Sequence, residues 1–231
     1  MSKSDEFCIK NENCVSKNEE FCIKNVEFCR NKQDSIPQAV QRMWTSPLRL
    51  RNKELCSILN FAVRADSNDM VRPLAMLTRA INLLCVTAGK ADKMKKDLPD
   101  THLIFRGGGF DERHRDFYTA NKKFRQPAYL ATSFSKDVAK IFMGRAAKGQ
   151  AKMLWLVRIH PVRKCVHVNL VTKRVAGLGS EQEYLFAPYS VFTVREVQWR
   201  AGTTDEPHVI ELLAAPDNKD EPEDLPLAPW S

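Results

Sequence analysis

Three short stretches of this chain carry residue types suited to chemistry. The first is Phe105-Arg106-Gly107-Gly108-Gly109. An arginine at the end of a short apolar run presents a planar, permanently charged fork that matches phosphate oxygens, and glycines let a ligand come close to the backbone. The spacing is not the Gly-x-Gly-x-x-Gly dinucleotide fingerprint, and a glycine turn with a surface arginine would read the same way. The second is Tyr129-Leu130-Ala131-Thr132-Ser133-Phe134-Ser135. Its hydroxyls can orient a carboxylate or a ligand amide, while Ser135 is placed to cap a following helix. The third, Gly179 to Phe186, holds Glu181 and Glu183 two residues apart. On a strand they share a face, and converging carboxylates suit general-base work and stabilisation of a developing cation at a sugar carbon. A solvated strand edge also produces such a pair.

Other groups carry less. His102, His114, His160, His167 and His208 show no metal-ligand spacing. The seven cysteines include no Cys-x-x-Cys pair, so no metal is expected and reduced thiols in a cytosol-like compartment are. The basic clusters Arg49 to Lys53 and Lys90 to Lys96 lack interleaved aromatic residues and read as solvated helix ends, not as a nucleic-acid surface. The net charge of +8 favours anionic partners in general. There is no apolar run of about 18 residues and no secretory leader pattern, which predicts a cytoplasmic protein with no membrane association and leaves unconventional export or delivery open.

The elements that must position these residues follow from periodicity. From Ile36 to about Ala91 apolar residues recur at three and four, as in Leu55, Ile58, Leu59, Ala62 and Leu74, Leu77, Ile81, predicting two or three amphipathic helices. Beyond Pro99 the texture becomes strand-like: His102 to Phe105, Ala128 to Ser133, Met153 to Ile159, Cys165 to Leu170, Glu183 to Phe186, Val191 to Trp199 and Val209 to Ala214. One helix, Lys136 to Ala147, interrupts them. Helices first and strands afterwards predict an α+β domain with a mixed or antiparallel core. Two tails flank it. Residues 1–34 contain four diverged seven-residue copies (EFCIKNE, NCVSKNE, EFCIKNV, EFCRNKQ) whose apolar positions are consecutive, so a flexible tail is expected and a coiled coil is not. Residues 216–231 are acidic and Pro-rich and are expected to stay disordered. The catalytic-size domain is then 35–215, and a monomer is expected.

The three motifs in this order resemble the arginine-specific mono-ADP-ribosyltransferases, the group shared by animal ecto-enzymes and bacterial actin-modifying toxins, whose hallmark is an Arg, a Ser-Thr-Ser strand and a Glu-x-Glu loop. The resemblance spans about Asp69 to Val197, including the run from Glu183 to Phe192. It implies an ADP-ribosyltransferase fold, with an N-terminal helical lobe packed on a two-sheet core that binds NAD as substrate, and an arginine-containing acceptor protein. In its terms Arg106 holds the NAD pyrophosphate and Gly107 makes room for nicotinamide. Thr132 and Ser133 line the site, Phe142 stacks near nicotinamide, and Arg145 is a second phosphate contact. Glu183 is the catalytic carboxylate, and Glu181 goes with arginine acceptors. An NAD glycohydrolase or a catalytically degenerate binding module are the alternatives it leaves. One departure is that Ala131 stands where the family strand has its first serine.

Overall fold

Apolar residues three and four apart do form helices in the first part of the chain. In a computed structural model, which describes residues 36–45, 49–50, 52–66, 68–87, 100–161, 167–169 and 183–229, α1 runs Ile36–Trp44, α2 Leu55–Ala65 and α3 Asn68–Thr87. A two-residue ribbon, β1 (Arg49–Leu50) against β2 (Lys53–Glu54), precedes α2. α2 buries Leu55, Ile58, Leu59 and Ala62 and stops where Asp66 turns left-handed at φ 45°. α3 buries Leu74, Leu77, Ile81 and Cys85, and burial pushes the Cys85 thiol up to about 12. The heptad tract, the Lys90 to Lys96 cluster and Glu181 lie outside the described residues.

The chain divides into two compact units, Met1–Leu84 and Cys85–Ser231. The second is built on one mixed sheet of eight strands: β3 (Leu103–Phe110), β4 (Lys123–Gln126), β5 (Leu130–Ser133), β6 (Ala151–Arg158), β7 (His167–Asn169), β8 (Glu183–Phe186), β9 (Ser190–Gln198) and β10 (His208–Ala214). Their order across the sheet is β4-β9-β10-β6-β3-β5-β8-β7, with only β6 and β10 parallel. Alternation decides which side chains go inward. Phe124 and Gln126 of β4, Phe192 and Val194 of β9, and Ile210 and Leu212 of β10 are buried, and the aromatic rings among them form one core with Tyr118, Tyr184 and Phe186. A single helix, α4 (Lys136–Gly144), covers part of the other face with Ala139 and Met143 against Phe105, Leu154 and Leu156.

Two sequence expectations change here. Strand β4, Lys-Phe-Arg-Gln, is too charged and too short to stand out from pattern alone, yet it forms the sheet's edge. The C-terminal stretch, expected to stay disordered, is ordered as far as 229 because that edge offers unpaired backbone groups. The Arg125 N–H donates to the Pro226 carbonyl (2.9 Å), the Ala228 N–H donates to the Arg125 carbonyl (2.8 Å), and Ala228 enters the core. Lys123 pairs with Glu221 at 2.6 Å.

Candidate functional site

The sheet has a seam. β3 pairs with β6 over its whole length, from Leu103↔Arg158 to Phe110↔Ala151, whereas β3 meets β5 at the single position Phe105↔Ser133. The glycine run is therefore the interior of a strand, not a turn after one. Gly107 is needed there for packing: a Cβ on it would lie 1.8 Å from the Ala139 carbonyl oxygen and 2.6 Å from Met143 Cγ, so its bareness lets α4 sit directly on β3. Gly109 similarly admits the Gln150 side chain, while Gly108 faces open space.

Arg106 stands at this seam. Its Nη1 donates to the Ala131 carbonyl at 2.7 Å, joining β3 to β5 just past their one registered pair. Burial lowers its pKa from the ordinary arginine value, and the Glu183 carboxylate acts in the opposite direction. A guanidinium stays charged under both influences. The result is a half-buried cation with one carboxylate close enough to matter electrostatically, an arrangement suited to binding an anion.

β5 and β8 bring the second and third motifs together. Their antiparallel register pairs Ser133 with Glu183, Thr132 with Tyr184 and Ala131 with Leu185. Directly opposed residues point to one face, so Ser133 and Glu183 stand side by side with Cβ atoms about 5 Å apart. Thr132 points the other way, and its buried hydroxyl donates to the Tyr184 carbonyl at 2.7 Å, pinning the residue that follows Glu183. Tyr184 is itself fully buried, edge-on to Phe134 and Phe186. Thus the hydroxyl next to the departure at Ala131 fixes backbone, and Ser133 is the hydroxyl that register delivers to the carboxylate.

The chain leaves this strand through hydroxyl turns. Ser133 Oγ accepts from the Ser135 N–H (3.0 Å), and Ser135 Oγ accepts from the Val138 N–H (3.4 Å) as the cap of α4. The helix is thereby anchored within two residues of Ser133. Ala139 and Met143 face β3, and Phe142 and Arg145, three apart, form a separate stripe in which the Arg145 guanidinium lies 4.7 Å from the Phe142 ring centroid. That stacked pair rides on the helix seated over Gly107. The structure thus brings Arg106, Ser133 and Glu183 together and carries Phe142 and Arg145 on the element packed beside them.

Some contributions had no signal in the sequence. A backbone carbonyl such as that of Ala131 has no residue signature, and only register makes it Arg106's partner. His208, read from sequence as one of five unremarkable histidines, is fully buried at the start of β10. Its Nδ1 accepts from the Arg200 N–H (3.0 Å), which assigns the proton to Nε2, and Nε2 donates to Glu112 at 2.8 Å. Burial pushes the Glu112 carboxyl up, but hydrogen bonds from Arg115 and His208 outweigh it and leave it lowered. This cluster ties the 3-10 turn Glu112–Phe117 to β10 and is structural. Among the described residues no group of three or more His, Cys, Asp or Glu is placed to hold a metal, and no helix is long and apolar enough to cross a membrane.

No protein-family description and no curated protein matches this sequence. Solved structures do match it. The Vis toxin, an ADP-ribosyltransferase from Vibrio splendidus, is similar over 93% of this chain and 87% of its own at 17% identity, with a TM-score of 0.52. Vis in complex with agmatine is similar over 88% and 86% at 15% identity, with a TM-score of 0.55. Exoenzyme S from Pseudomonas aeruginosa, in a complex with human 14-3-3 protein beta and bound to carba-NAD, is similar over 89% of each chain at 11% identity, with a TM-score of 0.51. The chain has the ADP-ribosyltransferase fold.

Proposed function

We propose that this protein cleaves NAD and transfers ADP-ribose to an arginine side chain of an acceptor protein. The observation that carries the reading is the convergence at one seam of Arg106, bound to the Ala131 carbonyl, and the cross-strand pair Ser133↔Glu183. The carba-NAD and agmatine complexes of the two similar enzymes support the two ligand classes, a dinucleotide and a guanidinium compound.

In this reading Arg106 binds the NAD pyrophosphate, and the Arg145 side chain at the C-cap of α4 adds a second charge for it. Phe142 offers its ring to the nicotinamide side. The backbone at Gly107 approaches nicotinamide on the side that α4 does not fill. Glu183, oriented by Ser133, accepts a hydrogen bond from the ribose 2′-hydroxyl and stabilises positive charge growing at C1′. The C1′–N bond breaks with its electron pair leaving on nicotinamide. A guanidinium nitrogen of the acceptor then supplies the pair for the new bond to C1′, and the proton it loses goes to Glu181. That carboxylate is required because a guanidinium, with a pKa above about 12, is a poor nucleophile until a base takes its proton. Thr132 acts on backbone alone, holding Tyr184 and hence Glu183.

The test is incubation with labelled NAD and agmatine, comparing wild type with Glu183→Ala and Glu181→Ala. Label on agmatine that Glu183→Ala abolishes, with Glu181→Ala leaving only NAD hydrolysis, is the expected outcome. Nicotinamide release with no labelled acceptor in wild type would make the protein an NAD glycohydrolase. Neither binding nor consumption of NAD would overturn the reading and leave a binding module, the outcome to which Ala131 points.

A further inference from the structure

Outside the seam, α4 and the sheet form a second concavity. It has a volume of about 460 Å³ and is walled on one side by Lys136 and Lys140 of α4 and on the other by Arg200, Thr204 and Asp205 of the segment between β9 and β10. Its floor is apolar: Met143, Leu154, Leu156 and Val209. Lys136, Lys140 and Met143 follow one another at four and three along α4, a different stripe from Phe142 and Arg145. The groove and the candidate NAD-binding residues thus use two sides of the same nine-residue helix.

The charge on the walls is three cations against one carboxylate, and none of these residues is part of the constellation described above. Lys136 and Lys140 are exposed, and the described partner of Lys140 is Asp137, one turn away on the same helix at 3.5 Å. Among the described residues no aromatic side chain lines the groove, so they offer no stacking platform for a base. At the first turn of α4 the Val138 N–H is already taken by the Ser135 cap. What the lining does match is an extended segment with alternating character. Every second side chain would be apolar and lie on Leu154, Leu156 and Val209, and those between would be carboxylates reaching the lysines and Arg200.

We infer that this groove docks an acidic, apolar-alternating segment of the acceptor protein, an inference that rests on the transferase reading above. Position gives the groove that role. Lys136 lies three residues after Ser133, so the chain between them spans at most about 11 Å, and Ser133 is the cross-strand partner of Glu183. A segment held at the Lys136 end presents its neighbouring arginine to the transfer carboxylate. A free arginine analogue needs no such hold.

The test uses the full chain and a fluorescein-labelled peptide of alternating glutamate and leucine with one terminal arginine. Its binding is read by anisotropy, and its modification is compared with that of agmatine. Lys136→Glu combined with Lys140→Glu is expected to weaken peptide binding and raise its KM about tenfold or more, leaving kcat and KM for agmatine unchanged. A peptide of alternating lysine and leucine is expected to bind the double variant better than wild type. Equal peptide affinity for wild type and variant would overturn docking, as would displacement of the peptide by ATP below the peptide's own dissociation constant, which would mark a small-anion site. The two readings fail separately: no agmatine modification with charge-dependent peptide binding removes the transferase reading alone, and agmatine modification with indifferent peptide binding removes the groove alone.

Discussion

The two wings of the sheet differ in how they are held. In the wing β4-β9-β10-β6-β3, every strand but the short edge strand β4 is seven to nine residues long, and the strands pair over a core of Phe110, Phe124, Phe192 and Ile210. In the wing β5-β8-β7, the strands are three or four residues long, and along the sheet they meet the larger wing at one registered pair and one arginine bond. Glu183 stands on the small wing and Arg106 on the large one. The two wings share one aromatic core through Tyr184 and Phe186, while their edge-to-edge geometry rests on a few side chains at the seam. A site assembled across a sparse joint can be damaged without unfolding the protein, and the joint can be damaged without touching the site.

The sharpest test of that division is Glu183→Gln. Activity is expected to fall on the order of 100-fold or more, since one charge facing the developing cation is lost, while the melting temperature stays within about two degrees; nicotinamide release and calorimetry read the two effects. A melting point lowered by many degrees would show that Glu183 holds the small wing in place and would blur the contrast.

Gly107→Ala attacks the large wing instead. The new methyl would meet the Ala139 backbone, so α4 must move off β3 at about 3 kcal/mol. Gly108→Ala on the same strand meets nothing within 4 Å and is expected to change stability by about 0.5 kcal/mol or less. Denaturant titration of both variants decides whether Gly107 serves packing while Gly108 does not, or whether both serve flexibility.

Thr132→Val leaves the Tyr184 carbonyl without its buried donor, at about 1–2 kcal/mol, and is expected to lower kcat more than it raises KM because the register of Glu183 loosens. Thr132→Ser should restore both. A loss of stability with kcat intact would show that β8 is held by its aromatic packing alone.

The smallest effect lies on the rim of the large wing. Arg113 hydrogen bonds, from side chain and then backbone, lower Asp111 from 3.8 to about 2. A lowered carboxyl contributes stability above its unfolded value and loses it as pH falls through the folded one, so this contribution should vanish between pH 3.8 and about 2. The melting temperature of Arg113→Ala, followed through that window against wild type, should converge on the wild-type curve at its acid end.

Much of this was legible beforehand. Residues 130–133 and 183–186 read as strands, Ser135 reads as a cap, and the order of arginine, hydroxyl strand and paired carboxylates is in the sequence. Each depends on neighbours two to four residues apart. β4 was not legible, because its Lys-Phe-Arg-Gln carries too little apolar pattern. Nor was the order of the acidic tail, which depends on an edge strand a hundred residues earlier.

By itself the sequence determined element types, the α+β order and the identity of Arg106, Ser133 and Glu183 as candidates, since alternation and helical spacing are local. Only the tertiary structure decided that Ser133 opposes Glu183, that Arg106 grips the Ala131 carbonyl, that Gly107 receives a helix, and that Lys136, Lys140 and Arg200 wall one groove. Register between strands fifty residues apart is set by how two faces pack together, and a one-residue slip of β8 against β5 would have sent Glu183 to the opposite face from Ser133.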